Sequence, residues 1–433
     1  MERRVLIYNV KIVSSGQTPF MGRVLIEGNF IKAVEPDVTD TNVEAHLKIN
    51  GNGALLLPGG IDEHVHFREP GMTSKATMAS ESRAAIEGGV TSWIDMPNTI
   101  PPTTSTALLD EKILIARQSS PANYGFYIGA TSSNLEELAK SDYSHIAGIK
   151  LFIGATTGSL VLDDDEALDR LFSTAPSIIA VHAEDNAIIE ANKQRLLKEY
   201  GDNDDLPIAM HPDVRSREAC VAATRRAINL ALKHNTRLHL MHISTADELE
   251  LLKSLPADAR ITAETCPQYL LFSSDDYRRL GARIKCNPAI KEESDRLALI
   301  EAVRSGLIDT IATDHAPHLL ADKAGGALRA ASGMPGVQFS LLAMLELVRG
   351  GVCSLADVVR LMCEHPARRF ALEGRDGIRV GNAADLVLID PTATTTVTAE
   401  TVLSKCGWSP FEGVTFHHKI LRTWCNGNEV WHS

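Results

Sequence analysis

The first chemistry in the chain is concentrated in five residues, His64-Val65-His66-Phe67-Arg68. In an extended strand, residues i and i+2 point to the same side. His64 and His66 therefore project together, and Arg68 is expected to continue that face at the strand's end. Two adjacent imidazoles suit a borderline ion such as Zn²⁺. An arginine just beyond them offers a planar, permanently charged fork that matches a carboxylate. Histidines spaced this way also occur on half-buried strands that bind nothing, so the argument turns on what the rest of the chain supplies.

It supplies five more polar positions at the ends of apolar runs: Asn98 in Met96-Pro97-Asn98-Thr99, Lys150 between Ile149 and Leu151, His182, His242, and Asp314 in Thr313-Asp314-His315-Ala316-Pro317-His318. Each has a plain reading. Asn98 fits a Pro-Asn turn, Lys150 an end-of-strand ion pair, and His182 and His242 hydrogen-bonded core positions. Asp314 fits a helix N-cap, and His315 and His318 fit solvated loop positions. Together they form a set. His64, His66 and Asp314 could hold one metal, and His182 and His242 a second. A charged lysine in an apolar strand is costly, and an ammonium has only donors. Once reacted with CO₂, Lys150 would present a carbamate with two oxygens, able to bridge both ions together with a hydroxide. Two ions roughly 3.5–4 Å apart lower the pKa of a shared water and polarise a carbonyl. That is hydrolysis of an amide-like bond, with Asp314 also able to serve as general base.

Such a set needs elements that bring it together. Apolar runs recur at Thr91–Met96, Tyr124–Ile128, Gly148–Phe152, Ile178–His182, Leu238–His242, Arg260–Glu264 and Leu307–Thr313. Helix-like stretches lie between many of them, including Thr73–Glu87 and Arg215–Lys233. With the opening strand this makes eight β-runs, the pattern of an α/β fold built as a (β/α)₈ TIM-like barrel over residues 57–375. Nearly every polar residue named above falls at the C-terminal end of its run, and in such barrels those ends share one mouth. Residues 1–56 and 376–433 read as short strands with hairpin signals at Gly28-Asn29 and Asn426-Gly427. Neither end buries much alone, so the two are expected to pair into one small β-domain.

Composition narrows the function classes. Hydrophobic residues make up 44% of the 433, enough for a sizeable core. A formal net charge of -12 disfavours nucleic acid and acidic membrane surfaces as partners, while a small anion needs only a local cation. Seven dispersed cysteines without a CxxC pair read as reduced thiols in the cytoplasm. The N-terminal apolar stretch is too short for a signal peptide, and no run approaches membrane-spanning length.

The residues also carry a resemblance. The chain resembles the cyclic-amide branch of the amidohydrolase superfamily, which includes dihydroorotases, allantoinases, hydantoinases and dihydropyrimidinases. Pro58-Gly59-Gly60-Ile61-Asp62-Glu63-His64-Val65-His66-Phe67-Arg68-Glu69-Pro70-Gly71 is most similar to the dihydroorotases. Lys285-Cys286-Asn287-Pro288, Gly333-Met334-Pro335-Gly336 and Ser409-Pro410-Phe411-Glu412-Gly413 agree. The resemblance implies two zinc ions per chain: His64, His66 and Asp314 on the more buried one, His182 and His242 on the other, carbamylated Lys150 between them. It implies Asp314 as general acid/base, Arg68, Asn98 and His318 on a substrate carboxylate, and Asn287 on the ring, with backbone near Pro335-Gly336 on the ring's ureide edge. The substrates implied are L-dihydroorotate and N-carbamoyl-L-aspartate, interconverted in pyrimidine biosynthesis. It also implies a homo-oligomer, with a dimer favoured. Some bacterial members replace the bridging lysine by an aspartate shortly after the Lys-Leu-Phe motif. Here no acid follows until Asp163, which favours the carbamate form. Thr156-Thr157 resembles a loop that closes over substrate, and equally fits a plain connection. Two rivals remain: the same chemistry on allantoin, a hydantoin or a dihydropyrimidine, for which Arg68 would lack a partner, and an inactive barrel kept as a scaffold, which typically loses metal-site histidines.

Overall fold

The computed structural model describes residues 2–36, 41–154, 160–200 and 205–433. Thr156 and Thr157 lie outside the described residues. Eight parallel strands follow one another around a barrel: β1 Gly60–Val65, β2 Val90–Asp95, β3 Asn123–Gly129, β4 Gly148–Ile153, β5 Ile179–Ala183, β6 Leu238–Leu240, β7 Ile261–Thr265 and β8 Thr310–Ile311. Helices lie between consecutive strands, as the alternating pattern implied. The ring closes past the short β8, where His315 pairs with Val65 and the His66 N–H donates to the His315 carbonyl (2.7 Å).

The last apolar run yields a strand of two residues, much shorter than Leu307–Thr313 suggested. Gly306 caps the preceding helix at φ +77°, and the N–H groups of Leu307 and Ile308 still bond back to Ala302. At the other end Thr313 turns to Asp62, donating from backbone N–H (3.1 Å) and hydroxyl (2.6 Å). The first helix starts at Met78, five residues later than the Thr73 expected, because Thr77 and Ser80 cap each other reciprocally there.

The two chain ends form one sheet, in the order Asn428–His432, Lys419–Cys425, Leu386–Asp390, Leu55–Pro58, Arg4–Ser14, Gln17–Glu27, Phe30–Pro36, with Leu47–Asn50 also pairing to Arg4–Ser14. The seam is antiparallel, from Leu386 opposite Pro58 to Ile389 opposite Leu55. Leu57 and Pro58 thus belong to this sheet, and the barrel strands begin at Gly60. Side-chain alternation divides the seam between two cores. Leu55, Leu57, Val387 and Ile389 join the barrel core, whereas Leu56, Leu386 and Leu388 pack with Val5, Ile7 and Trp424. One strand pair therefore anchors the sheet to the barrel. Among the described residues, no helix is long and apolar enough to cross a membrane.

Candidate metal centre and active site

Nine of the ten residues singled out from the sequence line one pocket at the C-terminal mouth of the barrel; the tenth, His318, reaches it through Arg68. His64 is the penultimate residue of β1, and His66 follows the strand's end. Their Nε2 atoms converge on Asp314 Oδ1, at 3.2 and 3.0 Å. Each ring is held from behind: His64 Nδ1 meets Glu264 Oε1 (2.8 Å) and His66 Nδ1 meets Asn98 Oδ1 (2.7 Å). The two Nε2 atoms therefore face the pocket, while each Nδ1 is engaged from behind. This is the arrangement of metal-binding imidazoles, whose outer nitrogen is fixed by a carboxylate or carbonyl.

On the opposite wall, His182 of β5 and His242 after β6 face each other, Nδ1 to Nε2, at 2.8 Å. His182 Nε2 stands 3.1 Å from Glu184, which Arg215 grips through both carboxylate oxygens. His242 and Asp314 both sit at positive φ, +42° and +49°, where side chains strain the backbone. Two strained residues that aim ligand atoms into one pocket point to function. Burial lowers His182 and His242, and holds His66 down to about 4, so these rings are neutral and free to donate a lone pair. Burial alone would raise Asp314, but His64, His66 and His242 outweigh it and hold the carboxyl well below its usual range.

Lys150 lines the same pocket, fully buried in β4. The plain reading, an ion pair, does not hold: among the described residues no carboxylate lies within 4 Å, and Nζ meets Met241 Sδ (2.8 Å) and the Phe152 ring (4.8 Å). Burial pushes its ammonium down to about 8, opening the neutral amine that carbamylation requires. The donor set fits a metal pair: imidazoles and one carboxylate converge, and the lysine in the same pocket deprotonates more readily than usual.

Arg68 arrives by another route than the sequence suggested. β1 ends at Val65, so the i+2 alternation does not carry Arg68 onto its face. The backbone turns left-handed at Arg68, φ +64°, and the turn is clamped by Phe67 N–H donating to Asp95 (2.7 Å). Its guanidinium, 4% exposed, donates to the Pro317 carbonyl (3.1 Å) and lies 3.1 Å from His318 Nε2. Among the described residues it has no carboxylate partner within ion-pair range. His318 and His315 are both buried, unlike solvated loop residues. His315 instead braces the loop, meeting Glu81 (2.9 Å) and accepting from the Gly336 N–H (3.0 Å). Asn287 turns an unpartnered, buried Oδ1 toward the same cavity.

Two contributors escaped the sequence reading. Glu264, at the end of β7, holds His64; it read as the last residue of an apolar run. Lys75 Nζ lies 3.0 Å from His318 Nδ1. Burial first, then Arg68, Lys75 and Lys323, press His318 down to about 2, so its ring is neutral.

A parallel barrel whose mouth gathers four histidines, a carboxylate and a lysine with a lowered pKa is the architecture of a barrel hydrolase. More narrowly, the chain belongs to the amidohydrolase family, whose pattern matches residues 55–430. It is 33% identical to a dihydroorotase of Methanosarcina acetivorans over 90% of this chain and 84% of the relative. It is 31% identical to an allantoinase of Bacillus velezensis, covering 99% and 94%. Among solved structures, an L-hydantoinase from Arthrobacter aurescens superposes with a TM-score of 0.93 at 30% identity, covering 100% of this chain and 96% of that one.

Proposed function

We propose that this cyclic-amide hydrolase acts as a dihydroorotase, interconverting L-dihydroorotate and N-carbamoyl-L-aspartate. Relatives with other ring substrates lie at similar identity, so the substrate argument rests on one observation: the buried, carboxylate-free guanidinium of Arg68 in the pocket. A buried charge left uncompensated is costly. A substrate carboxylate would compensate it through a two-point, charge-assisted contact. A neutral hydantoin would not.

In this reading His64, His66 and Asp314 would hold one Zn²⁺ and His182 and His242 another, with Lys150, as its carbamate, a further ligand. Ions bound there would supply Lewis-acid chemistry, lowering the pKa of a bound water and polarising a carbonyl. The chain's own residues do the rest. Arg68 holds the exocyclic carboxylate, with His318 beside it and the Asn98 amide group directed at the same anion. Asn287 Oδ1 accepts from a ring N–H. Asp314, held ionised by its histidine neighbours, takes the proton of the attacking water and delivers it to the departing ring nitrogen. Closure runs these proton transfers in reverse.

Turnover of L-dihydroorotate, measured beside allantoin and hydantoin with metal counted in the same sample, tests this. Conversion to N-carbamoyl-aspartate with close to two ions in the mouth is expected. Preference for a neutral ring would overturn the carboxylate assignment.

A further inference from the structure

Beneath the mouth, the barrel encloses a second cluster that the chemistry above does not use. Glu63 of β1, His239 of β6 and Glu264 of β7 direct ligand atoms to one point, all within 4.8 Å of one another and all buried. The floor below them is closed by Phe370, whose ring packs edge-on against both His239 (5.7 Å) and Tyr127 (5.9 Å).

The ligand atoms of the cluster are acceptors, and the one donor beside them, the buried Thr310 hydroxyl near Glu63, is also without a partner among the described residues. Both Glu63 carboxylate oxygens, Glu264 Oε2 and His239 Nε2 lack hydrogen-bond partners. The tautomer of His239 follows from its neighbour. Thr262 Oγ1 donates its hydrogen to the Leu238 carbonyl (3.3 Å), so it accepts from His239 Nδ1–H (2.9 Å). The Nε2 lone pair is thereby left bare toward the carboxylates. Glu264 is likewise divided: Oε1 accepts from the His64 ring and the His242 N–H, and Oε2 is free. Orphaned buried acceptors are rare in folded proteins and call for a counterpart.

His239 Nε2 and Glu264 Oε2 stand 3.8 Å apart. That is too long for a hydrogen bond. It suits two ligands of one ion, because zinc bonds of about 2.0–2.2 Å place ligand atoms at most roughly 4.4 Å apart. One imidazole and two carboxylates also neutralise a divalent charge inside the barrel, where an unpaired ion would be costly.

We infer that Glu63, His239 and Glu264 form a separate buried site for a divalent cation of the zinc class, stacked under the mouth and joined to it by Glu264. Such an ion fixes Glu264 and, through it, the His64 ring, so it is a positioning centre that touches no substrate. The site stands on its own ligands and does not depend on which ring the mouth accepts.

The test is a crystal of the wild-type full chain, dialysed against ZnCl₂ and then against metal-free buffer, with anomalous-difference data collected across the zinc edge. A peak bounded by Glu63, His239 and Glu264, separate from any in the mouth, is expected. Metal analysis of Glu63→Gln should then show one ion per chain fewer than the wild type, with mouth peaks retained. Water density or a shared proton in the chamber, without anomalous signal, would overturn the inference. So would an unchanged metal count in Glu63→Gln.

Discussion

At the scale of single residues, the mouth pairs cations with neutral rings, and this makes charge the property to test. Arg68→Met removes the guanidinium while keeping much of its apolar stem. If it binds a carboxylate, transition-state binding of L-dihydroorotate falls by at least about 1.5–3 kcal/mol, roughly 10- to 150-fold in kcat/KM. Any residual turnover of a neutral hydantoin should barely change, and steady-state kinetics on both substrates separate the two. His318 makes a pH prediction. Its folded pKa, pressed to about 2, lies below the unfolded value of about 6.5. Below pH 6.5 the unfolded chain takes up a proton that the folded ring refuses, so stability falls as the pH drops toward 2, by at most about 1.4 kcal/mol per pH unit. His318→Gln should therefore flatten the acid-side loss. Urea unfolding at pH 6.5 and 4.5 reads the difference, and equal slopes in both proteins would remove His318 as the cause.

At the scale of elements, one buried ion pair holds the end of β2 to the turn that aims Arg68. Lys112 donates to Asp95 (2.5 Å) and to the Met96 carbonyl (2.9 Å), and Asp95 accepts the Phe67 N–H. Both side chains are fully buried. Asp95→Ala strands the ammonium and should cost about 3–5 kcal/mol. The double variant Asp95→Leu/Lys112→Met should recover much of that in thermal unfolding. It should still turn over a carboxylate-bearing substrate poorly, because the Phe67 N–H stays unpaired and the Arg68 turn loosens. Full recovery of both would mean that the pair only stabilises the fold. These contacts also mark what the sequence could convey. The order of the apolar runs, the shared facing of His64 and His66 and the hairpin at Gly28-Asn29 follow local rules of period and turn chemistry, and they appear in the structure, although the last run shrinks to Thr310–Ile311. The path to Arg68 does not, because a left-handed non-glycine residue has no mark in the sequence. Glu264 lies 200 residues from the His64 it holds. Lys75 falls in a polar stretch that reads as an ordinary loop. What was hidden is long-range pairing, which spacing along one strand cannot encode.

At the scale of the whole molecule, the end sheet and the segment leading back to it do more than cover the barrel. Between Leu386–Asp390 and Lys419–Cys425 the chain crosses the mouth side and braces it. Ser404 donates to Glu81 (2.5 Å), the carboxylate that meets His315, and the Lys405 N–H donates to the same group (3.0 Å). Trp408 is buried, and its indole N–H donates to the His318 carbonyl (2.8 Å). Lys323 lies 5.8 Å from the indole ring and donates to the carbonyls of Ala331 (2.7 Å) and Gly333 (2.7 Å), next to the substrate pocket. The C-terminal segment thus helps position the loop that presents His318 to Arg68. Trp408→Phe keeps an aromatic face for Lys323 but leaves the His318 carbonyl unpaired. An unsatisfied buried acceptor costs about 1–3 kcal/mol, so the variant should unfold at a lower denaturant concentration. If the bond also fixes the ring, KM for a carboxylate substrate should rise severalfold while kcat changes little, since Asp314 and the histidine pairs are held by other contacts. A fall in kcat at constant KM would place the effect of Trp408 on the metal centre instead. Loss of stability with both constants unchanged would confine the C-terminal segment to holding the fold.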